Sequence, residues 1–197
     1  MKRAIKFGTQ LPAGDYELAR QTAVHADALG YYSLSLVDHL YAIGKREAPN
    51  VECLTTLTAI AALTRQIRLV PMVASMPWRP PALLAKMLTM IDIISDGRLI
   101  AGLGAGWLID EHQTYGYRFL PNAERIAAFR EGLHILKGMW TQDSITLEGK
   151  YYQVRNAVNF PKPIQQPHPP VLLGGGGAVM HATGRALFLR RSWEADQ

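Results

Sequence analysis

The sequence predicts an α/β fold: an incomplete (β/α)8 TIM barrel of about five βα units with a β-hairpin insertion. Three observations lead there. Strand patterns begin near residues 4, 32, 67 and 98, each followed by a helix pattern, which gives a repeat of about thirty residues, one strand plus its crossover helix. Strands alternating with helices make a parallel sheet. In Gly102-Leu103-Gly104-Ala105-Gly106 the third glycine comes one residue too early for the dinucleotide fingerprint G-x-G-x-x-G, which disfavours a nicotinamide-binding doubly wound sheet.

The first unit opens with Ile5 to Leu11, an alternating strand stopped by Pro12. Asp15 is a fitting N-cap for the helix that carries Leu18, Thr22, Ala26 and Leu29 at helical spacing, and Gly30 stands where a helix-ending glycine belongs. Tyr32 to Val37 is the second strand and ends in Asp38-His39. A polar loop, 40–50, leads to a helix with Leu54, Leu57, Ala61 and Thr64 on one face. The third strand spans Ile67 to Ala74. After the loop Ser75 to Arg79, Pro80 and Pro81 start a helix with Leu84, Met87, Ile91 and Ile94 on one side, ending at Asp96-Gly97. The fourth strand follows and breaks into the three glycines. Glu111 to Tyr117 is too irregular to assign. A long helix with Ile126, Phe129, Leu133, Leu136 and Trp140 comes next, then a hairpin over Ser144 to Val154 turning at Gly149. Five prolines between 161 and 170 stiffen the approach to a fifth strand, Val171 to Leu173, which runs into Gly174 to Gly177.

Composition narrows the function. The chain has 197 residues, 48% of them hydrophobic and 19% charged, enough for one sizeable core and unlike a disordered chain. No apolar run approaches the roughly 20 residues of a membrane span, and no signal-peptide core follows Met1, so a cytoplasmic location is expected. One cysteine, Cys53, within a helix pattern, excludes a disulfide framework and reads as a small core residue; no metal set is present. The net charge of +5 suits a phosphate-bearing or acidic ligand, but the basic residues are scattered, which argues against nucleic acid. Two glycine loops at the ends of parallel strands expose backbone amides, and the pair favours an anion site over simple strand packing.

Taken in order, these motifs resemble the bacterial luciferase-like superfamily, and within it the oxidoreductases that use the deazaflavin coenzyme F420. The resemblance covers about residues 3–180. It rests on Asp38-His39, Pro80, Asp92-x-x-Ser95-x-Gly97-Arg98, Gly102 to Trp107 with Glu111, and Pro161-Lys162-Pro163 leading to Pro169-Pro170 and the glycine loop. It divides the chain into a partial barrel domain, 1–180, and an atypical tail, 181–197. The tail departs from the family pattern, which would continue into a helix and a sixth strand, so a truncated or frameshifted end is expected. On that expectation the edge strands near Ile5 and Val171 lack a neighbour and the inward apolar residues face water.

The resemblance implies roles residue by residue. Asp38 and His39 would lie beside the deazaflavin ring, with His39 the candidate for proton transfer, since histidine titrates near neutrality; the plain alternative is a helix-capping loop. Gly104, Ala105, Gly106 and Trp107 would line the cofactor edge, with Glu111 nearby as a polar anchor or acid, although Trp107 alone would serve equally as a core residue. Gly175, Gly176 and Gly177 would bind the cofactor phosphate, the alternative being a flexible linker. A non-prolyl cis peptide near Val73, Ala74 and Ser75 would press behind the ring. The implied function is hydride transfer between F420 and a small organic substrate, in a possible homodimer. The alternatives are an FMN-dependent monooxygenase or a catalytically inactive fragment.

Overall fold

The structure is a computed structural model that describes residues 5–175 and a two-residue strand at 188–189. Its strands and helices alternate: β1 (Gly8–Gln10), α1 (Tyr16–Ala28), β2 (Ser33–Leu36), α2 (Cys53–Leu63), β3 (Arg68–Pro71), β4 (Ala74–Ser75), α3 (Pro81–Ile94), β5 (Ala101–Gly104), α4 (Ile109–Thr114), α5 (Asn122–Thr141), the hairpin β6 (Ile145–Glu148) and β7 (Gln153–Ala157), β8 (Val171–Gly174) and β9 (Phe188–Leu189). β1, β2 and β3 pair in parallel, as do β4, β5 and β8, and a parallel bridge between Leu69 and Leu99 joins the two groups. The parallel strands therefore lie side by side in chain order, each returned by a helix, as the repeat predicts.

Strand periodicity divides the residues between two faces. Leu34, Leu36, Leu69, Ala101 and Leu103 turn toward the helices and share the main core with Leu57, Ile60, Leu88 and Ile91. The opposite face holds a small cluster of Val70, Ile100 and Leu172. These three are buried, contrary to the expectation that inward apolar residues face water. The edge near Val171 is not bare either, because β9 pairs antiparallel to β8 with Leu189 opposite Val171. The other edge matches expectation: Ile5 and Phe7 are exposed, and the first ladder covers only three residues.

Local chemistry explains the boundaries. Asp15 accepts from the Leu18 amide at 2.6 Å, and Gly30 takes φ +77° just past the C-cap of α1. Cys53 opens α2 fully buried. The third strand forms two pieces, β3 and β4, and the Met72–Val73 peptide between them is cis, at the first of the residues expected near it. The hairpin turns over four residues rather than at Gly149 alone, because Glu131 on α5 accepts the amides of Lys150, Tyr151 and Tyr152 at 2.9–3.0 Å. Asp92, Ser95 and Arg98 are scaffold: Asp92 accepts from the amide and side chain of Gln165, and Ser95 from the Arg98 amide. Among the described residues no helix is long and apolar enough to cross a membrane.

Candidate active site

The carboxyl ends of β2, β4, β5 and β8 surround a cavity of about 620 Å³. The chain leaves each strand there through a short polar or glycine-containing turn, and these turns supply the walls. Asp38 and His39 follow β2, Val73 precedes β4, Gly104 to Trp107 leave β5, and Gly175 follows β8. Glu111 reaches the same cavity from α4, the helix that sequence left unassigned. Ala74 is the exception among the described candidates: it is fully buried in the main core and does not line the cavity, because the alternation of β4 turns its side chain to the helix face. Gly176 and Gly177 lie outside the described residues.

The central feature is a pair. His39 Nδ1 lies 3.0 Å from Glu111 Oε2, and Glu111 Oε1 accepts the Leu40 amide. Glu111 is fully buried while the imidazole keeps a small exposed area on the cavity wall. A carboxylate only accepts, so Nδ1 carries the hydrogen of this bond, and in the neutral ring Nε2 is left as acceptor. Among the described residues Nε2 has no hydrogen-bond partner. Trp107, with 62% of its surface exposed, stands edge-on to the imidazole with ring centres 5.9 Å apart, so it is a wall of the cavity and not a core residue. Asn50 donates to the His39 carbonyl at 2.5 Å. Tyr41 donates to Asp110 at 2.5 Å and Arg46 pairs with the same carboxylate, so the loop after β2 is fastened to α4 at the residue next to Glu111. These bonds hold the Asp110 carboxyl below its ordinary range, the Tyr41 hydroxyl contributing most.

Asp38 borders the cavity, but its carboxylate is committed. Arg79 grips it with two bonds of 2.7 and 2.9 Å, and the Ser75 amide donates a third at 2.8 Å. Arg79 also donates to Glu52 at 2.7 Å. Burial alone would lower the guanidinium pKa; the bonds to Asp38 and Glu52 outweigh it and raise it above the ordinary value. Asp38 thereby ties the end of β2 to β4 and to the short 3-10 turn Met76–Trp78. Sequence reasoning missed Arg79 and Trp78 and named only the backbone, not the hydroxyl, of Ser75. The last two line the cavity, and Ser75 Oγ and Trp78 Nε1 are buried without a partner, as is His112 Nε2 beside Gly106. Buried polar atoms of this kind mark a place where a ligand or water completes the bonding.

The glycines make room rather than merely expose amides. A Cβ on Gly102 would collide with the Pro71 carbonyl, and one on Gly104 or Gly174 would stand 2.6 or 2.5 Å from Val73 Cγ2. Val73 is thus seated between β5 and β8 with its side chain on the cavity wall. Gly106 has φ +74°, which favours glycine for its own reason.

Known proteins carry the same arrangement of strands. The chain is 32% identical over 167 residues to an FMNH2-dependent dimethylsulfone monooxygenase from Pseudomonas putida, covering 84% of this chain and 45% of that one. It is 28% identical over 165 residues to an F420-dependent glucose-6-phosphate dehydrogenase from Amycolatopsis mediterranei, covering 83% and 49%. Among solved structures, monooxygenase RslO1 from Streptomyces bottropensis matches with a TM-score of 0.74 and 28% identity over 86% of this chain and 53% of that one. The chain spans about half the length of the curated relatives it matches. The model of the luciferase-like monooxygenase family matches residues 4–186, and the chain belongs to that family.

Proposed function

We propose that this chain forms the cofactor-side part of a luciferase-like (β/α)8 barrel, residues 1–180, that transfers a hydride between coenzyme F420 and a small organic substrate. The His39–Glu111 pair on the cavity wall carries this reading. The residues present fit a tricyclic cofactor. Ser75 Oγ and Trp78 Nε1 are unspent donors at the wall, Val73 offers an apolar surface, and the glycine turns after β5 and β8 leave backbone close to the cavity. When bound, the deazaflavin supplies a two-electron hydride carrier. The chain supplies the proton chemistry. Glu111 fixes the imidazole through Nδ1, which leaves Nε2 to hold or take a proton at a substrate oxygen in the same cavity. Trp107 and Trp78, edge-on to His39, limit water around it.

A second reading is FMN-dependent oxygen insertion, favoured by the 32% identity to an FMNH2-dependent monooxygenase. Titration of the chain with F420 and with FMN, followed by tryptophan fluorescence, separates the two. F420 is expected to bind at least as tightly; FMN bound more than tenfold tighter, about 1.4 kcal/mol, overturns the choice. His39→Ala and Glu111→Gln are each expected to lower F420-linked turnover by about 10²–10⁴-fold with the circular dichroism spectrum retained. Full turnover in both variants returns His39 to a loop-capping role.

A further inference from the structure

The two members of the central pair stand on segments that hold themselves poorly. His39 belongs to the stretch between β2 and α2, which carries no helix or strand from 37 to 52. Glu111 belongs to α4, six residues long, with no side-chain cap at its start and a positive-φ glycine shortly before and after it, Gly106 and Gly116, both at +74°. A helix of that length is not stable on its own. The bond between His39 and Glu111 therefore depends on what ties the two segments together. We propose that Asp110 is a positioning residue for the pair: by holding the Tyr41 hydroxyl, with Arg46 in support, it fixes the rotation of α4 and keeps the Glu111 carboxylate against His39 Nδ1. In its effect on turnover this rests on the reading of His39 and Glu111 as the groups that handle the proton; as geometry it stands apart from that reading.

The ties form a short ladder. Leu40 is gripped on both sides, its amide by Glu111 and its carbonyl by the Tyr115 hydroxyl at 3.1 Å. The next residue, Tyr41, bonds Asp110 at 2.5 Å and stacks on Tyr115, with ring centres 6.3 Å apart and planes 22° from parallel. Asp110 and Glu111 are neighbours on α4 and so project about 100° apart around its axis. Glu111 is fully buried at the cavity, whereas Asp110 is half-exposed and takes no part in the cavity wall. A helix anchored on one side can turn about that anchor; a second anchor on another side stops the turn. A rotation of about 15° swings a side-chain end, about 5 Å from the axis, by about 1 Å. A shift of that size breaks the 3.0 Å bond to His39. The two ties on Asp110 are unequal. Tyr41 is buried and gives its hydroxyl to a carboxylate, a charge-assisted bond, while Arg46 and Asp110 are each about half exposed, where an ion pair adds little.

The test reads the His39 ring directly, by NMR of the ring N–H protons in the 197-residue chain, with the His39 signal identified by its loss in His39→Gln. An N–H held by a buried carboxylate exchanges slowly with water. The Trp140 Nε1–H, which bonds the Ala85 carbonyl in the core, serves as the internal reference. Asp110→Ala and Tyr41→Phe are each expected to speed exchange at His39 by about tenfold or more while Trp140 is unmoved, and Arg46→Gln by about threefold at most. Asp110→Glu should restore part of the protection. A wild-type His39 N–H without protection, exchange within about twofold of wild type in Asp110→Ala, or a Trp140 signal that loosens as much as His39, overturns the proposal. Turnover separates this from the reaction itself. A His39 signal that responds as expected in a chain with no F420-linked or FMN-linked turnover sustains the positioning and refutes the reading of the pair. Turnover lost in Asp110→Ala with the His39 signal unmoved refutes the positioning alone.

Discussion

Two buried arginines, one at each end of the parallel strands, show how differently the two ends are built. Arg98 stands ahead of β5 and gives five hydrogen bonds to neutral oxygens: the carbonyls of Ser95, Ile67, Ala61 and Thr64, and the Thr64 hydroxyl. It closes the carboxyl end of α2, where unpaired carbonyls and the helix dipole welcome a cation. Burial lowers its pKa, with Asp27 offsetting part of the shift. Arg79 stands beyond β4, spends its charge on Asp38 and Glu52, and is driven the other way. One end satisfies backbone; the other fixes charged side chains around a cavity. That division is the one expected of a barrel, in which the amino ends of the strands serve stability and the carboxyl ends serve chemistry.

The largest effect expected from this contrast is on stability at the Arg98 end. Arg98→Met keeps much of the volume but strips all five bonds, leaving several buried carbonyls unpaired. A loss on the order of 4 kcal/mol is expected in urea unfolding, which is large against a total of roughly 5–15 kcal/mol. Arg98→Lys should recover little, since a single ammonium cannot span the same acceptors. A loss below about 1 kcal/mol would mean that water replaces the arginine, and the division between the two ends would fail.

At the other end the expected loss is smaller and has a partner-dependent remedy. Arg79→Met leaves Asp38 buried beside the cavity with only the Ser75 amide as donor. A stranded buried carboxylate costs about 3–5 kcal/mol in a dry interior, and proximity to the cavity should bring this toward 2–3 kcal/mol. Adding Asp38→Asn to Arg79→Met should restore stability to within about 1 kcal/mol of wild type. A double variant as unstable as the sum of the single ones would show that the two residues do not act as a pair.

The same contrast explains what was legible in the sequence. Elements with one apolar face were: Leu34 and Leu36 alternate, Leu84 and Ile91 recur at helical spacing, though the same face took in Met87, which is only partly buried, and Ile94, which is exposed, and Asp15 and Gly30 mark the ends of α1 by local chemistry alone. α4 was not, because its six residues bury Glu111 and His112 and expose Ile109, the reverse of an amphipathic signal. His39 and Glu111 were each recognisable as residue types suited to the site, yet 72 positions separate them and no spacing announces the bond. Arg79 was invisible for the same reason, its partners lying 41 and 27 residues away. The glycines of β5 and β8 suggested bare amides, whereas the atoms that require them, the Pro71 carbonyl oxygen for Gly102 and Val73 Cγ2 for Gly104 and Gly174, belong to the neighbouring stretch from the end of β3 to the start of β4. Periodicity reports what a residue faces, and only the fold reports whom it meets.

The smallest expected effect sharpens the comparison by pH. Glu52 caps α2 through the Leu54 and Thr55 amides at 3.1 and 2.7 Å and the Thr55 hydroxyl at 2.6 Å, and it also binds Arg79. Burial raises its pKa, but these bonds prevail and hold it below its ordinary value of 4.5. A carboxylate with a depressed folded pKa contributes stability that is fully present above its unfolded pKa and is lost as pH falls through the folded one. Its side chain is 38% exposed, so solvent screening limits the contribution to under about 1 kcal/mol. Glu52→Gln keeps a cap acceptor and removes the charge, and should cost a few tenths to about 1 kcal/mol near neutral pH. The difference from wild type should shrink as pH drops below the ordinary glutamate range, because both chains then carry a neutral group there. Asp27, whose pKa is also depressed, titrates alike in both proteins and cancels in the difference. Urea unfolding of the two chains at matched pH values reads this directly. A difference that is constant with pH would assign Glu52 a packing role only and leave Asp38 as the sole charge that Arg79 answers.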